Sequence, residues 1–197
     1  MDSLTQLVLG SAVAYIVVGK QLGKRSLLIG GLAGTFPDLD SIPLSLFNDD
    51  FLMLKHHRGF THSLLFCLFF PFLATYLTRL ISEKVSFKLW YWLYFWVFLT
   101  HTLLDCFTSW GTQLFWPLAP RIAFNSIFII DPLYTSWILL GIGVCLFKPF
   151  SKRLLTIMKV SLLVSSVYLL LTLGVKWKLY YDFKAYFEYH NIEYSQM

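Results

Sequence analysis

The chain has 197 residues, of which 57% are hydrophobic and 14% are charged. A soluble domain has roughly 45–50% hydrophobic and about 25% charged residues, so this composition excludes a water-soluble fold and indicates an integral membrane protein. The formal net charge of +5 lies in short clusters between apolar segments. Such clusters are typical of membrane topology, so we expect no nucleic-acid partner.

Apolar segments of the length of membrane helices follow one another along the chain. A helix needs about 20 mostly apolar residues to cross roughly 30 Å of hydrocarbon. Four segments meet or approach this length: residues 60–81, 87–107, 126–147 and 154–175. Residues 4–19 are slightly short, and the glycine-rich residues 26–36 form either a closely packed partial span or a re-entrant element. We predict an all-α polytopic membrane protein with about five to six transmembrane or partially spanning helices.

The basic residues between these segments predict an orientation. They form three clusters: Lys20, Lys24 and Arg25; Arg79, Lys84 and Lys88; and Lys148, Lys152 and Arg153. If residues 26–36 cross the membrane, all three clusters lie on one side, which the positive-inside rule makes cytoplasmic. Loops 38–58 and 108–125 then face outward. Residues 1–175 form one membrane-embedded domain, and the aromatic tail, residues 176–197, is expected to be an amphipathic helix at the interface.

Two clusters of ionisable residues border the first outward loop. Asp38 and Asp40 directly follow the glycine-rich segment and offer carboxylates of the kind that divalent cations bind, although a solvated turn is an equally simple explanation. The run HHRGFTHS, residues 56–63, places three histidines and an arginine where a long apolar span begins. Polar groups beside lipid are costly, so such a cluster indicates function.

A third motif closes the next span. His101 and Asp105 are four residues apart, so in a helix they project from the same face. This spacing suits two metal ligands, or a histidine oriented by its own carboxylate, better than a helix-stabilising pair inside an apolar segment. The predicted topology brings all these motifs to one membrane surface. We therefore predict a mixed nitrogen and oxygen metal site for Zn²⁺, which the imidazoles favour, or Mn²⁺, with six candidate ligands: Asp38, Asp40, His57, His62, His101 and Asp105.

The successive motifs resemble a known family. MDSLTQ at residues 1–6, PDLD at 37–40, HRGFTHS at 57–63, HTLLD at 101–105 and IDP at 130–132 look like those of the YdjM-like predicted membrane-bound metal-dependent hydrolases. Members are described as LexA-regulated inner-membrane proteins in some bacteria, with distant similarity to zinc-dependent phospholipase C and P1-type nucleases. The family's opening motif usually ends in Thr-His, whereas Gln6 stands at that position here.

The resemblance implies a bacterial inner-membrane hydrolase whose site opens outward at the lipid boundary. A lipid phosphoester is the most natural substrate class there, with membrane lipid as the partner. Arg58 is expected to hold a phosphate oxygen, and one of the carboxylates of Asp38, Asp40 and Asp105 to act as general base. The alternative is a metal- or ion-binding membrane protein without hydrolysis, such as a transporter or a regulatory protein.

The predicted orientation can be tested with topology reporters. Reporters fused after Lys24, Lys84 or Lys152 should be cytoplasmic, and one within residues 49–55 should be extracytoplasmic, because the basic loops stay inside. If residues 26–36 are re-entrant, the reporter after Lys24 alone should depart from the pattern. Opposite results for all four fusions would place the candidate site in the cytoplasm.

Overall fold

The computed structural model describes residues 1–45, 57–81 and 83–190. Residues 46–56, among them His56 and the reporter segment 49–55, together with residue 82 and residues 191–197, lie outside the described residues. Within these ranges the chain forms seven α-helices and no strand, which confirms the all-α prediction. The helices are α1 Ser3–Leu22, α2 Arg25–Thr35, α3 Ser41–Ser45, α4 Leu64–Ile81, α5 Phe87–Cys106, α6 Pro132–Phe147 and α7 Lys152–Tyr189. Two 3₁₀ helices, Phe36–Asp40 and Phe60–His62, follow α2 and precede α4.

Helix α1 is the centre of the bundle. It begins at Asp2, whose carboxylate accepts a hydrogen bond from the Thr5 amide, and it packs against α2, α5, α6 and α7. In its most apolar stretch 67% of the residues are buried, compared with 22% in the corresponding stretches of α4 and α7. The apolar side chains of α4 and α7 therefore face outward from the bundle, as expected for helices in contact with lipid.

Helices α1 and α2 pack backbone against backbone. A Cβ atom added to Gly30 would lie 2.2 Å from the Gly10 carbonyl oxygen, and one added to Gly34 would lie 2.5 Å from the Gln6 carbonyl oxygen. Only glycine permits so close an approach. The contacts pair the start of α1 with the end of α2, so α2 runs antiparallel to α1 along its length. Residues 26–36 therefore form a closely packed helical segment that does not turn back on itself, and its crossing of the membrane stays a prediction.

The helices differ in how well they could cross a membrane. Three of them, α1, α4 and α7, are long and apolar enough to do so. Helix α6 is apolar but has only 16 residues, and α5 has 20 residues with a more polar and aromatic composition. Helix α2, with 11 residues, rises only about 16 Å.

Helix α7 continues past the predicted end of the last span. It has 38 residues and runs to Tyr189 without a break near residue 175, so it measures about 57 Å if it is straight. That length exceeds the roughly 30 Å of hydrocarbon by several turns. The predicted tail is thus the final part of α7, and its location at the interface stays a prediction.

The bundle has two chemically distinct ends. At one end, called here the motif end, α1, α4 and α6 begin while α2 and α5 finish. At the other, the basic end, Lys24, Lys84 and Lys152 lie in or beside the helix junctions. The buried charged or histidine side chains of the described chain all lie at the motif end: Arg58, His62, His101, Asp105 and Asp131.

The glycine contact should be essential for stability. We expect Gly30→Ala to lower the free energy of unfolding by about 1–3 kcal/mol, because the new methyl group would overlap the Gly10 carbonyl and force the helices apart. Gly143→Ala in α6 is the matched control, since nothing lies within 4 Å of its added Cβ and alanine favours helix by up to about 1 kcal/mol. Thermal unfolding in detergent measures both variants, and equal stabilities would contradict the packing described here.

Candidate metal centre

Four of the predicted ligands meet at the motif end. One donor atom from each of Asp38, His62, His101 and Asp105 lies within 4.8 Å of the others. The Nε2 atoms of His62 and His101 are 2.9 Å apart. The His62 Nε2 atom is also 3.2 Å from Asp38 Oδ1 and 3.5 Å from Asp105 Oδ2. The four side chains come from the ends of three separate elements and could hold a metal ion together.

The spacing of these atoms fits one small divalent ion. Four ligand atoms held tetrahedrally at about 2.0–2.2 Å from an ion lie roughly 3.3–3.6 Å from one another. From His101 Nε2 the distances are 3.6 Å to Asp38 Oδ1 and 4.0 Å to Asp105 Oδ2. Together with the shorter distances around His62, these values bracket the tetrahedral range. Two imidazoles and two carboxylates form a donor set that suits Zn²⁺ or Mn²⁺.

The hydrogen bonds of the two histidines direct both Nε2 atoms into the group. His101 Nδ1 lies 2.6 Å from the Gly34 carbonyl oxygen, which can only accept, so a neutral His101 carries its proton on Nδ1. Thr61 donates its hydroxyl proton to Asp40 at 2.7 Å and accepts from His62 Nδ1 at 3.0 Å. Both Nε2 atoms are then lone-pair acceptors that face each other. A cation between the two atoms, either a metal ion or a shared proton, would satisfy both lone pairs.

Asp105 is enclosed by positively charged and donor groups. Its carboxylate contacts the amino group of Met1, accepts a hydrogen bond from Gln6 Nε2 at 2.9 Å, and lies 3.3 Å from Arg58 Nε. The side chain is fully buried. A buried carboxylate needs such partners to remain charged, so these groups keep Asp105 available as an anionic ligand.

The two carboxyls after α2 are also held in the ionised form. Burial by itself would raise the pKa of Asp38, but hydrogen bonds and charge from His101 and His62 outweigh it and hold that pKa well below its usual range. For Asp40, burial is likewise opposed by hydrogen bonds from His57 and Thr61, and the pKa is lowered. Metal ligands must be deprotonated, so the two ionised carboxyls suit an ion, which would replace the Nε2 protons of the histidines as it binds.

Asp40 and His57 lie beside the four-residue group, paired with each other. Asp40 Oδ1 lies 2.8 Å from His57 Nδ1, while its Oδ2 atom accepts from the Arg58 amide at 3.1 Å and from Thr61. These contacts occupy the Asp40 carboxylate with the segment that carries His62. In this arrangement the two residues position the group rather than contribute donor atoms to it.

Arg58 has a strained backbone and a buried side chain. Its φ is +60°, in the left-handed region that costs a residue with a side chain about 1–3 kcal/mol. Two hydrogen bonds hold this conformation. The Arg58 amide donates to the Asp40 carboxylate, and the Arg58 carbonyl accepts from the Gln113 amide. The guanidinium is buried, and within the described part of the chain its Nη1 atom has no hydrogen-bond partner. A buried donor of this kind indicates a missing acceptor, such as an anionic ligand.

Arg121 was not predicted as a site residue. Its Nη2 atom donates to the His57 carbonyl at 2.7 Å, and burial, followed by the nearby charge of Arg58, lowers its pKa. The loop that carries it packs along the histidine segment, where the Leu64 amide donates to the Leu114 carbonyl at 2.9 Å. No motif or spacing marks Arg121 in the sequence, so only the docking of this loop reveals a second arginine at the site.

The remaining motif residues divide between site and scaffold. Gln6 is fully buried, donates to Asp105, and has an Oε1 atom without a hydrogen-bond partner among the described residues. The position at which the family resemblance implies a histidine therefore borders the group. Asp2 and Asp131 instead cap α1 and α6, and Asp131 also accepts from the Tyr168 hydroxyl at 3.0 Å.

Comparison with known proteins gives a family but no reaction. Residues 1–181 match the family described as YdjM inner membrane protein. The chain is also 29% identical over 140 residues to a protein of Bacillus subtilis (strain 168) described as uncharacterized protein YfhP. That alignment covers 67% of this chain and 42% of the relative, so this chain spans less than half of the relative's length. No solved structure matches the chain.

The threonine between His62 and Asp40 can be tested by an isosteric change. We expect Thr61→Val to weaken metal binding by roughly 10–100-fold, because His62 loses the acceptor that fixes its tautomer and ring orientation. Thr156→Val, on an exposed part of α7, should leave metal binding unchanged. Titration of the detergent-purified protein with Zn²⁺ measures the difference, and an unchanged affinity for Thr61→Val would show that His62 is not a ligand.

Proposed function

Because the chain belongs to the YdjM inner membrane protein family, we propose that it is a membrane-bound, metal-dependent hydrolase of a phosphoester at the membrane surface. The observation that carries this proposal is the pair of Nε2 atoms of His62 and His101, which face each other at 2.9 Å beside two ionised carboxylates. Hydrogen bonds to their Nδ1 atoms direct both lone pairs to one point, which is how proteins prepare histidines to bind metal.

Four residues would hold the metal, each for a separate structural reason. Asp38 follows the end of α2, His62 precedes α4, and His101 and Asp105 share one face of α5. A divalent ion bound there would lower the pKa of a water molecule towards about 7 and neutralise charge on a phosphate. Zn²⁺ fits the donor set best, and Mn²⁺ is the second choice.

Positive charge beside the group favours an anionic substrate. Arg58 approaches Asp105 through Nε and leaves Nη1 without a partner within the described residues, so its guanidinium has a donor available for a phosphate oxygen. Arg121 lies next to Arg58 and adds a second positive charge. Two arginines around one anionic group are a frequent arrangement for phosphate recognition.

Asp38 is the best-placed proton acceptor among the carboxylates. The Asp105 carboxylate is fully buried and surrounded by donors, and both Asp40 oxygens accept hydrogen bonds from the histidine segment. Asp38 keeps 18% of its side chain exposed, and its Oδ1 atom faces the two histidines. We propose that in the metal-bound state, where His62 and His101 would be neutral and would no longer lower its pKa, the second oxygen of Asp38 accepts the proton of the attacking water.

A transporter would require polar groups along a path through the membrane. In the described chain the buried charged and histidine side chains lie only at the motif end, while the rest of the bundle interior is apolar or carries isolated hydroxyls. This distribution favours surface chemistry over conduction. A metal-binding protein without hydrolysis remains the alternative, and the assays below distinguish it.

The orientation follows from the separation of the two ends. We propose that the centre faces the extracytoplasmic side of a multi-pass protein in the inner membrane. The position of the basic residues opposite the candidate metal centre supports this orientation through the positive-inside rule. There it would meet the headgroups of lipids in the outer leaflet of that membrane. A lipid phosphoester is accordingly the proposed substrate class.

Metal content and hydrolysis together test this function. We expect His62→Ala and His101→Ala to abolish hydrolysis and to reduce metal affinity strongly. The loss of a hydrogen bond that orients a ligand lowers metal affinity by roughly 10–100-fold, and the loss of the ligand itself should lower it further. His190→Ala, at the end of α7, is the matched control and should change neither. Elemental analysis of folded, detergent-purified protein and a phospholipid panel with and without chelator provide the measurements. Metal binding without hydrolysis of any phosphoester would favour the non-hydrolytic alternative, and unchanged metal content in both variants would exclude a metal site.

A further inference from the structure

An apolar groove lies between the candidate metal centre and the basic end. It lies between α2 on one side and α4 and α5 on the other, and its volume of about 380 Å³ falls within the roughly 300–1,000 Å³ of small-molecule sites. A second cavity shares Ile29, Thr78 and Tyr94 with the first and continues to Arg25 and Lys84. The two cavities are therefore adjacent along α2.

The groove is built for a hydrocarbon ligand. The walls of this first cavity are aliphatic and aromatic except for one pair of hydroxyls, Thr78 and Tyr94, which are 2.6 Å apart. Thr78 also donates to the Ala74 carbonyl at 2.7 Å, so neither hydroxyl requires a partner from a ligand. A polar molecule could form no hydrogen bond with these side chains, whereas a saturated hydrocarbon chain has no polar group that would be left without a partner.

The groove and the metal centre share their structural elements. Phe36, Phe70 and Phe98 line the end of the groove nearest the centre and contact one another, with ring centroids 5.1–6.3 Å apart. Phe36 lies two residues before Asp38, and Phe98 lies one helical turn before His101. The groove and the candidate ligands are therefore neighbours along two of the same elements.

The groove and the adjacent second cavity together match the depth of one leaflet. Along α2 the two cavities run from Phe36 to Arg25, about 16 Å at the helical rise per residue. Half of the roughly 30 Å hydrocarbon core is about 15 Å, which is the depth that a lipid chain reaches from the headgroup region. Leu28 and Leu32 on α2 are each 72% exposed, so this helix borders lipid and the groove can be entered from the bilayer.

We propose that this groove binds one fatty-acyl chain of a lipid phosphoester while the phosphate lies at the metal centre. The proposal rests on the proposed function and adds the class of substrate: a phospholipid recognised by one acyl chain as well as by its phosphate. The arginines at one end and the apolar walls below them match the two chemical parts of such a lipid.

Photo-crosslinking tests the groove independently of catalysis. The full chain is placed in nanodiscs with phosphatidic acid that carries a diazirine midway along one acyl chain, and labelled peptides are mapped by mass spectrometry. Label should concentrate on the groove residues Ile29 and Leu77. Leu170 and Leu171 of α7, which are 63% and 62% exposed, report contact with bulk lipid and should carry less. Equal labelling of both surfaces would overturn the proposal.

A groove-filling variant sharpens the test. Ala74→Trp should reduce labelling of Ile29 by about tenfold, equivalent to about 1.4 kcal/mol of binding, because the indole occupies the chain's position. Leu140→Trp on the exposed face of α6 is the matched control and should have no effect. Stronger labelling by a diazirine-bearing polyprenyl phosphate would assign the groove to an isoprenoid chain and overturn the acyl assignment.

The failures of the two proposals remain distinguishable. Groove labelling that persists in His101→Ala, together with no bound metal in the unmodified protein, would support the groove and reject the hydrolase. Metal binding and hydrolysis without preferential groove labelling would support the hydrolase and reject the groove.

Discussion

The backbone contact between α1 and α2 is the constraint on which the candidate site depends. Glycines at three points let the two helices approach until backbone atoms touch, and Gly34 lies at the last of these points. Its carbonyl oxygen binds His101 Nδ1 and so sets the direction of the His101 ring. The same approach brings Gln6 beside Asp105 and ends α2 where Asp38 reaches the histidines. Helix packing and ligand geometry are therefore one feature of the molecule.

Charge compensation explains why the site is concentrated at one end. A buried charge without a partner is costly, and more so beside lipid, so each ionised group must be enclosed by others. Asp105 has three such partners in Gln6, Arg58 and the amino group of Met1. Asp40 has the same function for the segment that carries His62. Within the described residues the network leaves atoms of Arg58, Gln6 and Asp105 without a hydrogen-bond partner, which makes these the positions at which a ligand has most to contribute.

The polar centre and the apolar groove give the bundle an amphipathic interior. The aromatic cluster of Phe36, Phe70 and Phe98 separates the two and belongs to both, since its members share elements with the candidate ligands. A headgroup in the centre and a chain in the groove would each meet an environment of matching polarity. An arrangement of this kind allows a membrane protein to bind a lipid without removing it from the bilayer.

The apolar segments and the basic clusters of the sequence were enough to predict the helical fold, because helix formation in lipid depends on local composition. They also predicted the approximate helix positions and the end of the bundle at which the motifs meet, because successive helices alternate in direction. The six candidate ligands predicted from the sequence motifs include all four residues that cluster in the structure. The tertiary structure alone decided that Asp40 and His57 pair beside the group, that Gly34 and Thr61 orient the histidines, and that Arg121 joins the site. These contacts depend on differences of a few ångströms in the distances between helices and in the position of a loop. Such distances arise from packing between segments that are distant in sequence, so no single segment carries a periodic signal for them.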